Sequence, residues 1–193
     1  MLSDIRPAIV STIIFTLALG LGYPLVITGI AQLAFPWQAN GSLVRDAAGH
    51  VIGSALLGQP FAKPQYLHPR PSAAGNGYDP TSSGGSNYGP LSADLAKRVK
   101  ADAAAIRAST GHEALPDDAV TASGSGLDPD ISPAYAYLQA DRIARARGEP
   151  VALVDSVIAG HVQGPFLGFI GQPHVNVLMT NLALDAEGAK AQP

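Results

Sequence analysis

The sequence predicts one N-terminal transmembrane helix followed by a single soluble domain of mixed α+β class. Three observations predict it. No charged side chain stands between Arg6 and Arg45. The segment from Gln59 to Pro90 is dense in Pro, Gly, Ser and Asn, so no helix survives there. Beyond it, helix start and stop signals alternate in order, and a short apolar run closes the chain.

The first element is the apolar run from Ala8 to Phe35. A hydrocarbon core of about 30 Å needs about 20 helical residues, so this run is long enough to span with tilt. Phe35, Pro36 and Trp37 read as an interfacial aromatic stop. The rival reading is a signal peptide cleaved after Gly29-Ile30-Ala31. Signal cores run to about 7–15 apolar residues, and this one is far longer. The chain divides accordingly into a short cytoplasmic N-terminus at 1–7, a transmembrane helix at 8–36 and an extracytoplasmic α+β domain at 37–193. Arg6 and the α-amino group, against Asp4, favour an N-terminus inside and a soluble domain outside. Ala18, Gly22 and Gly29 share one helix face, where small residues permit close packing by another helix. Tyr23-Pro24 is expected to kink or loosen the helix.

Gly41 to Gly58 reads as a hairpin, with Leu43-Val44 and Val51-Ile52 around a turn at Asp46-Ala47-Ala48-Gly49. The long segment that follows holds Tyr66, His68, Arg70, Tyr78 and Tyr88, which are anchors a bland linker would lack. Leu91, Leu95, Val99 and Ile106 recur at helical spacing, with Ser92 as N-cap. Ser132-Pro133 starts another helix, expected to run to Arg147 and stop at Gly148, with Arg142, Arg145 and Arg147 at its negative end. Pro150 opens a short helix bearing Val151, Val154, Val157 and Ile158. Val175 to Leu184 reads as a terminal strand containing Asn176 and Asn181.

Composition removes several chemistries. The chain has no Cys, which excludes a thiol nucleophile, zinc–thiolate binding and iron–sulfur ligation. A net charge of −3 offers no basic field for nucleic acid. None of Lys63, Lys97, Lys100 or Lys190 follows a Gly, so there is no Walker A motif, and no Asp-Lys pair of the kind a P-type ATPase phosphorylates is present. The His residues at 50, 68, 112, 161 and 174 are scattered. A Ser125–His161–Asp128 triad can be written on paper, which keeps a membrane-anchored extracytoplasmic hydrolase using Ser125 as an alternative, although G-x-S-x-G is missing.

Two segments stand out. In Ser82-Ser83-Gly84-Gly85-Ser86-Asn87-Tyr88-Gly89-Pro90, successive N–H groups could form an anion nest, with Ser83, Ser86 and Asn87 adding donors, against a plain surface turn. In Thr121 to Ser132, two carboxylates and several hydroxyls precede a helix. They could hold a cation through Asp128 and Asp130 or an anion at the helix end, against an elaborate N-terminal cap.

These runs carry a resemblance. Gly53-Ser54, Gly58-Gln59-Pro60-Phe61, Arg70-Pro71-Ser72-Ala73, Ser83–Asn87, Gly89-Pro90, Thr121–Ser132, Gln139, Val175-Asn176-Val177-Leu178, Asn181 and Leu184-Asp185 together resemble the C-subunit family of the Kdp potassium-transporting ATPase, over nearly the full length. Leu67, Pro69, Tyr88 and Gln172 depart from the family's usual residues. The resemblance implies an accessory subunit of a bacterial inner-membrane complex for high-affinity potassium uptake. Its partners would be a channel-like potassium-binding subunit and a P-type ATPase subunit. It would be non-catalytic by itself and would serve assembly. It would also act as a catalytic chaperone raising the ATPase subunit's affinity for ATP, with no tightly bound cofactor and an ATP effect that can be indirect. Partner or nucleotide-effect candidates are Ser83, Gly84, Gly85, Ser86, Asn87, Ser123, Gly124, Ser125, Gly126, Asp128 and Gln139. Asp128 and Asp130 are candidates for steering potassium, and no metal site is expected.

Overall fold

The computed structural model describes residues 2–46 and 48–191. They form two compact units that meet in the chain at Ile52 and Gly53.

The first unit is dominated by one apolar helix, Ser3–Ala34, of 32 residues. At about 1.5 Å per residue it is about 48 Å long, more than the hydrocarbon core requires. None of its most apolar window is buried by the protein itself. A helix apolar on every side and covered by nothing needs an apolar surrounding. It consists of α1 (Leu2–Leu17), a π-helical turn (Ala18–Gly22) and α2 (Tyr23–Ala34). The π turn has a local cause. Pro24 lacks an N–H, and its ring crowds the carbonyl four residues back. The backbone widens just before it, and Tyr23 N–H bonds Ala18 O five residues back. This is the loosening expected at Tyr23-Pro24. Phe35 leaves helical geometry (φ −137°, ψ 56°), and Pro36 opens the single turn α3 (Pro36–Ala39).

Ala18 and Gly22 both lie in the π turn and Gly29 lies in α2. A Cβ on Gly29 would meet nothing within 4 Å, and one on Gly22 only Leu17 O at 3.6 Å. Leu at either position is therefore expected to leave the helix and its membrane insertion intact while weakening assembly with a partner helix. Co-purification of both variants at the level of the parent chain would contradict that.

The predicted hairpin is present as β1 (Leu43–Arg45) and β2 (Val51–Ser54). Of its turn, Ala47 lies outside the described residues. Around it, Asp46 Oδ1 accepts from Ala48 N–H at 2.9 Å and His50 N–H at 2.8 Å.

In the second unit, α4 (Ala93–Thr110) starts where Ser92 Oγ accepts Leu95 N–H and ends at Gly111 in the left-handed region. The short α5 (Asp117–Val120) follows. The helix predicted from Ser132 to Arg147 is observed as α6 (Pro133–Leu138) and α7 (Ala140–Arg147), joined through Gln139 and closed at Gly148 (φ 69°). Ser132 is its N-cap and Pro133 its first residue, as the sequence indicated. α8 (Val151–His161) opens after Pro150. Three short strands, β3 (Asp130–Ile131), β4 (Val162–Gln163) and β5 (His174–Asn176), make an antiparallel sheet with β5 central. The predicted terminal strand at 175–184 is corrected: only His174–Asn176 is extended, and Val177–Ala191 is a helix, α9. Asn176 ends the strand and caps the helix, accepting Met179 N–H on Oδ1 at 3.1 Å. Val177, Leu178, Asn181 and Leu184 then fall on one buried face at helical spacing.

The core gathers Ile143, Val154, Ile158, Val175 and Leu184, all fully buried, against Leu67 from the long middle segment. That segment has no regular structure, yet side chains hold its backbone. Asn181 receives Leu67 N–H on Oδ1 (2.7 Å) and donates Nδ2 to Leu67 O (3.0 Å). Gln139 does the same for His68, at 2.8 and 3.1 Å. Arg142 donates to Pro64 O and Tyr66 O, and Arg147 to Gln65 O and Leu184 O. Two of the three arginines expected to face the helix dipole, Arg142 and Arg147, therefore supply donors that a neighbouring strand would otherwise provide. Among buried backbone groups such partners are obligatory.

Candidate functional site

The two singled-out loops meet. Gly84 N–H donates to Ser125 O at 2.9 Å, and Ser83 Oγ donates to the same carbonyl at 2.9 Å. Gly85 packs so close to Gly124 that an added Cβ would sit 3.2 Å from its carbonyl oxygen. Gly126 is tighter still. It has φ +68°, and a Cβ would fall 2.6 Å from Ala74 N and 2.7 Å from Gly84 O. Its carbonyl accepts Ser72 Oγ (2.6 Å), which in turn accepts Tyr78 N–H (2.8 Å). Tyr78 Oη closes the circuit on Arg70 O. Three segments distant in sequence, 70–78, 83–85 and 121–128, thus form one hydrogen-bonded plate.

Arg70 ties the plate to the acidic end of the loop. Its Nη1 lies 2.9 Å from Asp128 Oδ2, and its Nε donates to Thr121 O at 3.2 Å. Asp128 Oδ1 accepts Asp130 N–H, and Asp130 Oδ1 accepts Asn176 Nδ2, which also donates to Ala55 O. Gly58 must be glycine here, because a Cβ would lie 2.6 Å from Asp128 O. Around Arg70, Asp117, Asp118, Asp128, Asp130 and His174 there is an open cleft of about 460 Å³. Its acidic groups are not arranged as a metal centre: among the described residues no cluster of three or more His, Asp or Glu could hold a metal ion.

Burial raises the Asp130 carboxyl above its ordinary value, against the lowering effects of the Asn176 amide and of His174. A raised folded-state pKa contributes stability below the unfolded pKa and loses it as pH rises through the folded value. At neutral pH the ionised Asp130 is therefore a burden on the fold. Asp130→Asn is expected to raise the melting temperature at neutral pH and to leave it unchanged below about pH 3, where both states are protonated. A lower melting temperature at neutral pH would contradict this. Asp128→Asn weakens a partly exposed ion pair, worth about 1 kcal/mol or less.

The family described as KdpC, "K+-transporting ATPase, c chain", matches residues 5–186. The chain belongs to the KdpC family. Proteins named potassium-transporting ATPase KdpC subunit are 64% identical in Caulobacter sp. (strain K31), covering 96% of this chain and 95% of the relative. Another, in Beijerinckia indica subsp. indica, is 60% identical over 96% and 95%. A third, in Koribacter versatilis, is 46% identical over 96% and 95%.

In this KdpC-family chain the candidate residues have divided fates. Ser83, Asn87, Gly124 and Ser125 are exposed, while Ser123 and Gly126 are buried and Gly84, Gly85, Ser86 and Asp128 lie between. The anion-nest reading loses a donor, since Gly84 N–H already serves Ser125 O. Gln139 is 1% exposed, with both ends of its amide engaged. Asp128 does not cap the helix after it. Ser132 does so, and its own N–H and Oγ donate to Asp118 at 2.7 and 2.8 Å. The paper triad is not assembled. Asp128 pairs with Arg70, Ser125 Oγ accepts from Leu127 N–H, and His161 Nδ1 bonds Val157 O within α8. Asp118, Arg142, Arg147 and Asn176 were missed as positioning residues. Asn176 and Asn181, within the resembling runs, and the arginine cluster carried a signal in the sequence; Asp118 carried none.

Proposed function

We propose that this chain is a non-catalytic accessory subunit of the potassium-transporting ATPase complex, anchored in the bacterial inner membrane with its N-terminus inside and residues 37–193 outside. It assembles with the channel-like potassium-binding subunit and the P-type ATPase subunit. One observation carries the reading: the family's motif residues are spent on locking three segments into one plate. Preorganised polar loops on a fixed scaffold are suited to binding a neighbour. Ser83, Gly124 and Ser125 are the exposed parts of that plate, with Asn87 exposed beside it. In this orientation the domain cannot reach cytoplasmic ATP. Its effect as a catalytic chaperone on ATP affinity travels as a coupling free energy between distant sites, and the chain needs no ATP site of its own.

The acidic cleft adds a second role. Asp117, Asp118, Asp128 and Asp130 are set against Arg70, and their negative potential raises local cation concentration without holding an ion. Neutralising Asp128 and Asp130 together should reduce potassium uptake at low ionic strength, and the loss should fade as the Debye length falls toward about 8 Å. Uptake that does not respond to the substitutions at any salt contradicts steering. Orientation is tested by protease. The domain should be cut in spheroplasts and protected in inverted vesicles, and the reverse pattern overturns the topology.

A further inference from the structure

Between β4 and β5 the chain forms a hairpin tip that the core does not use. Phe166 and Ile170 pair across it, N–H to O at 2.8 Å one way and 2.9 Å the other. Gly168 N–H donates to Pro165 O at 3.0 Å and Phe169 N–H to Phe166 O at 3.3 Å. Leu167 (φ 54°) and Gly168 (φ 83°) take left-handed conformations to close the turn. The result is a rigid knuckle. It holds Phe166 70%, Leu167 70%, Phe169 76% and Ile170 51% exposed. Single exposed apolar residues are ordinary, but four on one tip mark a surface that meets another apolar phase.

The chemistry of the tip selects that phase. There is no Asp, Glu, Lys or Arg from Ser156 to Leu184, and no polar side chain between Gly164 and Gly171. A protein interface surrounds its apolar centre with a hydrogen-bonding rim, which this tip does not supply. Hydrocarbon asks instead that backbone polar groups be satisfied internally, and the hairpin does that for the N–H groups of Phe166, Gly168, Phe169 and Ile170 and for the carbonyls of Phe166 and Ile170. The chain's own N-terminal helix is long and apolar enough to cross a membrane, so lipid is an apolar phase this chain already meets. We propose that the Phe166–Ile170 knuckle is a second membrane contact, inserting its apolar tip about 5–10 Å into the lipid interface. Because the tip is uncharged, its insertion is indifferent to anionic lipid and to salt. Two contacts in place of one restrict how the domain can turn, which lowers the ordering cost of docking a partner. The inference rests on the membrane reading of the N-terminal helix, and its test separates the two.

The full chain carrying Trp37→Phe and Phe169→Trp has one indole, on the tip, since Trp37 is the only native Trp. It is reconstituted into zwitterionic vesicles and floated, and its fluorescence is read with lipids brominated at different depths. The expected result is flotation with blue-shifted emission. Quenching should be stronger from bromines near the headgroup than from bromines near the chain ends, and unchanged by salt. Adding Phe166→Ser and Ile170→Ser should abolish most of the quenching without affecting flotation. Flotation with water-like emission and no quenching overturns the knuckle contact and leaves the anchor standing. Blue-shifted emission that appears only with the other subunits present, and without lipid quenching, assigns the tip to a protein and also overturns it. Failure to float overturns both contacts.

Discussion

Gly126→Ala is expected to destabilise the soluble unit by about 3 kcal/mol, through two costs at one position. The residue has φ +68°, where any Cβ is strained. That Cβ would also stand 2.6 Å from Ala74 N and 2.7 Å from Gly84 O, both backbone atoms of the plate that cannot rotate away. Gly84→Ala is the matched control. It lies in the same pair of loops, but nothing stands within 4 Å of its Cβ. It should cost within about 0.5 kcal/mol, as an unobstructed surface change does. Urea denaturation of the full chain in detergent compares them. Equal stability of the two variants would mean that the plate is not the close-packed unit described above. On the proposed reading of the plate as the partner surface, Gly126→Ala should also lower recovery of the assembled complex.

Asn181→Leu should cost about 2–5 kcal/mol. The substitution keeps roughly the volume and removes both hydrogen bonds. It leaves Leu67 N–H and Leu67 O without partners beside a residue that is itself fully buried. Each buried orphan costs about 1–3 kcal/mol, more than the net gain from making the bond. Gln139→Leu strands the same pair of groups on His68, and it also removes the acceptor of Arg142 Nη2 at 2.6 Å. The two substitutions act on neighbouring residues of one strap, so their costs should not add. A thermal melt of each single variant and of the double variant reads this. A double variant whose loss equals the sum would show that the strap is not held as a unit.

Local signals in the sequence were reliable where the physics is local. Ser92, Ser132, Pro133 and Gly148 punctuate helices through bonds within one turn, and the structure uses each of them so. The long apolar helix follows from composition alone. The segment from Val175 to Leu184 misled because Val175, Val177 and Leu178 suit a strand. The helical spacing of Val177, Leu178, Asn181 and Leu184 was the better guide, with Asn176 as the cap between the two states. What no local rule carries is the meeting of the loops. Ser83 and Ser125 are joined across 42 positions, and Leu67 and Asn181 across 114. Glycine frequency in both motifs was visible, but its reason, close backbone approach, exists only once the loops are paired. The same is true of Gln139, which looked like a contact residue and is enclosed.

The central claim is that this KdpC-family chain works by holding neighbours in the membrane. Its most direct test is affinity purification of the tagged chain in mild detergent from cells producing all subunits of the complex, followed by potassium-stimulated ATP hydrolysis with and without the chain. The account predicts co-purification of the two large membrane subunits at fixed stoichiometry, with a lower KM for ATP when the chain is present. Recovery of the chain alone, with an unaltered KM for ATP in the remaining complex, would contradict it.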